Sequence, residues 1–469
     1  MTAAANGRGR PFWRVVRAAL AGRTHDLTEE RLGRAILLLA VPMVIEMLME
    51  SIFVVVDIFW VSHRGADAVA IVGLTESMMA VLYAVALGLG MAATAVVARR
   101  IGEKDPDGAA RAAVQVLGLA AAVAVALGAA GAILAPRLLA ALGGDPAAIE
   151  QHGDFARVML GGSVTVFLLF AANAVFRGAG DPAIAMRTLW LANAVNLALG
   201  PCLLFGWGPF PELGVAGAAV ATTVGRGAGV LYQLAHLVRR SGHLAIRRRH
   251  LAIEPAVLAG LVRVGAVGIG QMLVGTVSWI GMARLLAPYG SPALAGYVVA
   301  MRVIMFAVLP ASGLALAAST LVGQSLGAGQ PGRAEDAVWT VARWNLAFLG
   351  GVALVLALAA GPIVRLFPGD PAMHALGATA IRVIACGLPM NAYAMVLCCA
   401  FNGAGDTWTP TLLNLAAFCG VQIPLAWILA RPAGLGAEGV LTAVPVGFAV
   451  LAALAVIQFR RGGWKAHRV

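Results

Sequence analysis

The heptapeptide FRGAGDP at residues 176–182 returns as FNGAGDT at 401–407, and this recurrence sets the architecture. The offset is 401 − 176 = 225. The same shift carries GADAVA (65–70) onto GSPALA (290–295), GGDP (143–146) onto PGDP (368–371), and Gly214-Val215 onto Gly439-Val440. Four separated blocks under one shift mark a duplicated chain. A glycine-rich fragment can also signal phosphate binding, but these copies follow no strand and lack the Lys-Ser/Thr of a P-loop. Nucleotide binding is rejected, and both copies read as tight turns with permissive Gly and a capping Asp.

Composition places the duplicated unit in a bilayer. Hydrophobic residues make up 60% of the 469, charged residues 12%, and the mean hydropathy is +0.86; soluble domains carry about 25% charged residues. Apolar runs of about 20 residues, the length needed to span, recur along the chain without the alternation of a barrel. An all-α polytopic membrane protein is expected, with twelve transmembrane helices. The first half gives spans at about 36–62, 67–97, 110–135, 150–175, 183–206 and 213–237, and the second at about 257–287, 292–323, 335–360, 376–401, 408–430 and 436–459. Six spans per copy is an even number, so the copies are parallel repeats, a plan common among transporters. The expected units are an N-terminal tail (1–35), an N-lobe (36–237), a basic linker (238–256), a C-lobe (257–459) and a C-terminal tail (460–469).

The net charge of +12 is not a nucleic-acid signature, because of where the charge falls. Basic residues cluster before the first span, around the 2–3 loop (Arg99, Arg100, Lys104, Arg111), in the linker (Arg239, Arg240, Arg247, Arg248, Arg249) and at the C-terminus. With twelve spans all four clusters share one face. By the positive-inside rule that face and both termini are cytoplasmic, in a cell inner (plasma) membrane. Residues 1–30 hold no apolar core of signal-peptide length. The five cysteines form no CxxC pair and join no His cluster, so they read as small packing residues. No catalytic Ser/His/Asp or Cys/His constellation is present, and neither an enzyme nor a cofactor is expected.

The first span, VPMVIEMLMESIFVVVDIFW (41–60), holds three carboxyls: Glu46, Glu50 and Asp57. At 100° per residue Glu46 and Glu50 are 40° apart, and Glu46 and Asp57 are 1100°, or 20° after three turns. All three lie on one stripe. Each costs roughly 2.5–3.5 kcal/mol at the bilayer centre, so the stripe must face protein or a wet cavity. Under the shift of 225, Glu46 falls on Gln271, Glu50 on Gly275, Asp57 on Met282 and Glu76 on Met301. The ionisable chemistry therefore belongs to the N-lobe. The carboxyls either exchange H⁺ or Na⁺ or lock helices together as permanently protonated, hydrogen-bonded groups. Pro42 lets this helix bend. Asn193 and Asn196 of NAVN, Thr222 and Thr223 add polar groups, and Asn and Thr equally bridge helices. A substrate cavity is expected to include Met47, Gln271, Asn391 and Trp279, the last for cation stacking.

These motifs together resemble the multidrug and toxic compound extrusion (MATE) transporters: Pro42…Asp57, the stretch ALGLGMAATAVVARRIGEKDPDGAARAA (86–113), NAVN (193–196), GPFPELGVAGAAVAT (208–222) and ALAASTLVGQSLGAGQPGRAEDA (315–337). The resemblance covers nearly the whole chain. It implies two six-helix lobes in a V around a central cavity, and export of organic, often cationic, compounds against H⁺ or Na⁺. It matches Asp57, Asn196 and Thr222 to the N-lobe cation site of one prokaryotic branch, so a Na⁺ site at Asp57 and Asn196 is implied. That branch has an aspartate where this chain has Gly200, and the acids of another branch's C-lobe fall here on Gly275 and Asn391. Glu50 is the candidate replacement charge, and H⁺ is expected over Na⁺, which favours several oxygen ligands. A functional monomer is expected. The rival class is a flippase of lipid-linked precursors, which would line its cavity with arginines; Arg226, Arg284 and Arg302 are the intramembrane candidates.

Overall fold

The computed structural model describes residues 12–22, 25–62, 66–239 and 244–467, with the side chains of 52–62 and Ala66 excepted. Arg8, Arg10, Arg23, Arg240 and Arg468 of the basic clusters lie outside the described residues, as does the side chain of Asp57. The described chain is helical and contains no strand.

The first half comprises α1 (Phe12–Ala21), α2 (Leu32–Ser62), α3 (Ala66–Gly102), α4 (Pro106–Ala141), α5 (Pro146–His152), α6 (Asp154–Gly161), α7 (Ser163–Gly178), α8 (Pro182–Phe205) and α9 (Val215–Val238). The second comprises α10 (Pro255–Leu286), α11 (Ser291–Gly327), α12 (Pro331–Val364), α13 (Pro371–Ala404), α14 (Trp408–Asn414), a wider π-helical stretch (Leu415–Gln422), α15 (Ile423–Ala430) and α16 (Gly436–Arg460). The duplication fixes the helix bounds. Shifting α3 by 225 gives 291–327, the bounds of α11, and 106 + 225 = 331 and 146 + 225 = 371 give the starts of α12 and α13.

Local sequence explains these starts. Pro at the first helical position gives up no needed hydrogen bond, and an Asp before it accepts from the orphan backbone N–H groups. Asp105 accepts from the N–H of Gly108 at 2.8 Å, Asp145 from Ala147 at 3.0 Å and Asp370 from Met373 at 2.6 Å. Among the described residues eleven helical segments are long and apolar enough to cross a membrane. The expected sixth span is present as α9, but its Gly, Thr222, Thr223, Arg226, Gln233 and His236 keep it out of that set. Those polar groups are what α9 contributes to the interior. The outer faces carry exposed Ile133, Leu231, Leu354 and Leu358, as hydrocarbon contact requires.

The main crossings between the lobes are three: α2 on α11 and α3 on α10, which the duplication exchanges, and α3 on α11, which it maps onto itself. At the end bearing both termini the backbones touch. A Cβ on Gly102 would fall on the carbonyl of Gln324, and one on Gly327 on the carbonyl of Arg99. Since 102 + 225 = 327 and 99 + 225 = 324, this is one contact made twice, and it closes that end. The chain ends reinforce it. Arg333 of α12 donates to the carbonyls of Leu27 (2.6 Å) and Glu30 (2.5 Å), Lys104 pairs with Glu29 at 3.0 Å, and Arg99 donates to the carbonyl of His467 at 2.9 Å.

Candidate functional site

Farther along the seam lies a cavity of about 380 Å³ between α2, α3, α7 and α8 of the first lobe and α11 and α13 of the second. Glu46 and Glu50, one turn apart on α2, both line it, with Met47 between them. Tyr83 and Phe170 meet edge to face on the first-lobe wall, their ring centroids 5.8 Å apart. The second lobe contributes uncharged groups: Leu309, Ser312, Leu316, Ser319, Cys399 and Asn402.

Glu46 is 1% exposed and pairs through Oε1 with Arg177 at 3.0 Å. Asn173, one turn earlier on α7, donates to the same oxygen at 3.2 Å. Gln233 of α9 donates in turn to Asn173 Oδ1 at 2.5 Å. All four side chains are buried, so the charges are held by one another rather than by water. Among the described residues Glu46 Oε2 has no hydrogen-bond partner, which leaves one oxygen able to take a proton. Glu50 lies within electrostatic reach of Glu46 and of Arg226 on α9. Arg226 also donates to Tyr83 Oη at 2.8 Å and lies 5.7 Å from the centre of that ring.

The turn reading of FRGAGDP needs correction at Arg177. Phe176, Arg177 and Gly178 form the last turn of α7, and the turn itself is Ala179–Asp181. Helix rotation aims Arg177 inward at Glu46 rather than outward at headgroups. The sequence held a signal for it: the shift that takes Glu46 to Gln271 takes Arg177 to Asn402, so both charges vanish together. For Asn173 the shift gives Cys398, and Gln233 keeps its type at Gln458. Nothing local marked either as a partner.

The other candidates are distributed as follows. Asn196 donates to Thr222 Oγ1 at 2.8 Å, and both are buried, bridging α8 and α9. Neither lines the cavity. A side chain on Gly200 would begin 3.6 Å from Asn196 Oδ1, so an acid there would join this pair. Met47 is on the cavity wall. Gln271 is buried away from it, Trp279 is 46% exposed on the outside of α10, and Asn391 is half-buried on α13; none of the three is among the lining residues. Arg302 is exposed beside Glu76, and Arg284 is exposed near the end of α10.

The comparisons agree with this architecture. The MatE family model matches residues 42–202 and 266–428, one segment in each half of the duplication. A relative named "Probable multidrug resistance protein YoeA" from Bacillus subtilis (strain 168) is 26% identical over 95% of this chain and 97% of its own. An "FAD transporter" from Shewanella oneidensis is 25% identical over 90% and 93%. A solved structure described as the "Outward-facing conformation of a multidrug resistance MATE family transporter of the MOP superfamily" superposes with a TM-score of 0.87 at 25% identity, covering 94% of this chain and 98% of that one. Duplicated lobes, a seam cavity and a family match in both halves lead to one assignment: the chain belongs to the MatE family and is a multi-pass membrane transporter.

Proposed function

We propose that this chain is a secondary active multidrug exporter that exchanges H⁺ for small organic cations by alternating access, with the coupling site in the N-lobe. The observation that carries this is the buried Glu46–Arg177–Asn173–Gln233 network on the cavity wall, opposite a second lobe that lines the cavity without a charge. Glu46, Glu50 and Asp57 are the coupling acids of the proposal, and Asn196 and Thr222 position helices beside them. Relatives named as multidrug resistance proteins support the substrate class, as does a cavity of carboxyls, Tyr83, Phe170 and Met47.

Protons are favoured over Na⁺ because Glu46 is surrounded by donors, Arg177 and Asn173, and Gly200 supplies no oxygen beside Asn196. The positive-inside asymmetry makes the closed end cytoplasmic, so the lobes are disposed for exchange with the opposite side. The flippase reading calls for arginines free to hold a pyrophosphate; Arg177 is committed to Glu46. The test is flux of a fluorescent cationic dye in proteoliposomes under a pH gradient alone and a Na⁺ gradient alone, for wild type, Glu46→Gln and Asp57→Asn. Dye export driven by pH and lost in Glu46→Gln is expected. Export driven by Na⁺ alone, or unaltered in both variants, contradicts the proposal.

A further inference from the structure

We propose that Arg177 connects the N-lobe acid to the closed seam, with Thr320 and Gln324 of the second lobe as the positioning residues that receive the signal. The inference rests on reading Glu46 as the titrating acid. The side chain of Arg177 holds Glu46 at 3.0 Å. Its backbone carbonyl accepts from Thr320 Oγ1 at 3.1 Å, and the carbonyl of the next residue, Gly178, accepts from Gln324 Nε2 at 3.0 Å. Both donors stand on α11 and are buried, at 0% and 2% exposure. The last carbonyls of a helix have no partner within it; the N–H of Gly180 returns to the Arg177 carbonyl at 3.0 Å, and the second lobe adds the side-chain donors Thr320 and Gln324 to this end of α7. Gln324 is also the residue whose carbonyl meets Gly102 at the closed crossing. One residue thus touches the cavity acid with its side chain and the seam with its backbone.

The duplication supplies an internal control. The contact of α11 with α7 has its counterpart in the contact of α3 with α13. There the shift places Asn402 and Gly403 at the helix end, and Ala95 and Arg99 where the donors would be (320 − 225 = 95; 324 − 225 = 99). Ala95 cannot donate, and Arg99 is turned to the carbonyl of His467 and to Glu103. The backbone crossing occurs on both sides, but the charge and the cross-lobe donors occur together on one. A purely structural seam has no reason to pair them.

The consequence follows from electrostatics. With Glu46 ionised, Arg177 is fixed and the last turn of α7 stays within reach of α11. Protonation removes the counter-charge of a buried guanidinium, which then draws toward another partner or toward water. The groups facing Glu46 limit the alternatives. They are Glu50 on its own helix, Tyr83 on α3, Arg177 and Asn173 on α7, and on the second lobe the Cys399 thiol and uncharged Ser312, Ser319 and Asn402; Arg226 of α9 stands nearest Glu50. Glu50 is the other carboxylate among the residues lining the cavity with Arg177. Movement toward it displaces the carbonyls that Thr320 and Gln324 hold.

The experiment is pulsed spin-label distance measurement across the closed end, with labels at Pro106→Cys and Gln330→Cys in the full chain after replacement of the native cysteines. Distributions at pH 8 and pH 5 are compared for wild type, Glu46→Gln, Thr320→Val/Gln324→Leu and Thr320→Ser. We expect the short distance to dominate at pH 8 in wild type and to fall at pH 5. Glu46→Gln gives the pH 5 distribution at both values. The double α11 variant loses about tenfold of the closed population at pH 8, as two lost hydrogen bonds imply, and its pH response disappears. Thr320→Ser, which keeps the hydroxyl, behaves as wild type. A double α11 variant that still responds to pH like wild type overturns the link through Arg177 while leaving the acid in place. A wild type insensitive to both pH and Glu46→Gln overturns the acid reading and the link with it.

Discussion

The duplication allows the N-lobe ion pair to be replaced by the pair its own second half carries. Glu46 and Arg177 correspond to Gln271 and Asn402, so Glu46→Gln/Arg177→Asn writes the neutral version into the first lobe. Arg177→Asn alone strands a carboxylate that is 1% exposed, and Glu46→Gln alone strands a guanidinium that is 9% exposed. Removing one partner of a buried pair costs roughly 3–5 kcal/mol. Gln at 46 still accepts from Asn173, so its single cost falls toward the lower end. The double variant buries no net charge, and its cost should be no larger than that of the milder single, so the coupling free energy is at least the cost of the harsher single, roughly 3–5 kcal/mol. Reversible unfolding of the purified chain in detergent at pH 8, with all four members of the cycle, measures it. A double variant whose loss equals the sum of the two single losses would refute the reasoning, because Glu46 and Arg177 would then be independent of each other.

Three further outcomes are expected. Thr222→Val leaves the buried Asn196 amide without its acceptor and should cost about 1–3 kcal/mol in the same unfolding measurement; Thr222→Ser should recover most of it. Gly102→Val cannot keep its backbone against the Gln324 carbonyl, so spin-label distances across the closed end should lengthen, whereas an unaltered distribution would show that the contact does not hold the lobes. Asp181, in the turn before α8, makes no capping hydrogen bond, unlike Asp406, its counterpart, which accepts from Thr409 at 3.0 Å. Burial raises its carboxyl from 3.8 to about 6, against the pull of Arg187 and His236. A raised acid pKa means the ionised form costs stability above about pH 6, and that the cost is relieved as pH falls toward 3.8. Asp181→Asn should therefore stabilise by on the order of 2–3 kcal/mol at pH 8 and by little near pH 4; equal effects at both values would contradict this.

The parts of the fold that the repeat and helix geometry govern could be read in advance. The shift of 225 anticipated the matching bounds of α3 and α11, whereas the spans expected from about 110, 150 and 376 begin earlier, at Pro106, Pro146 and Pro371, because hydropathy does not register the Asp-Pro caps that open those helices. Helix geometry put Glu46 and Glu50 on one stripe, and both line the cavity. The partners were less legible. Arg177 sat in a motif dominated by its turn glycines, and whether the residue before them points to lipid or inward depends on helix rotation fixed by packing. Trp279 and Asn391 show the converse: their side-chain types suit a cavity, yet α10 turns one outward and α13 leaves the other off the wall. The low hydropathy of α9 reflects polar groups, Gln233 and Arg226, whose partners lie on other helices and are invisible to a sliding window.

The most direct test of the central claim is the proton count on substrate binding. Purified protein in weakly buffered detergent solution at pH 7.5 is titrated with a permanently charged organic dye, and the released protons are measured with a pH indicator. The account predicts that the dye displaces protons from the N-lobe acids in wild type, and that Glu46→Gln/Glu50→Gln binds dye more weakly and releases no protons even at saturating dye. Equal proton release from wild type and the double variant would contradict it, and would place the exchanging group elsewhere in the chain.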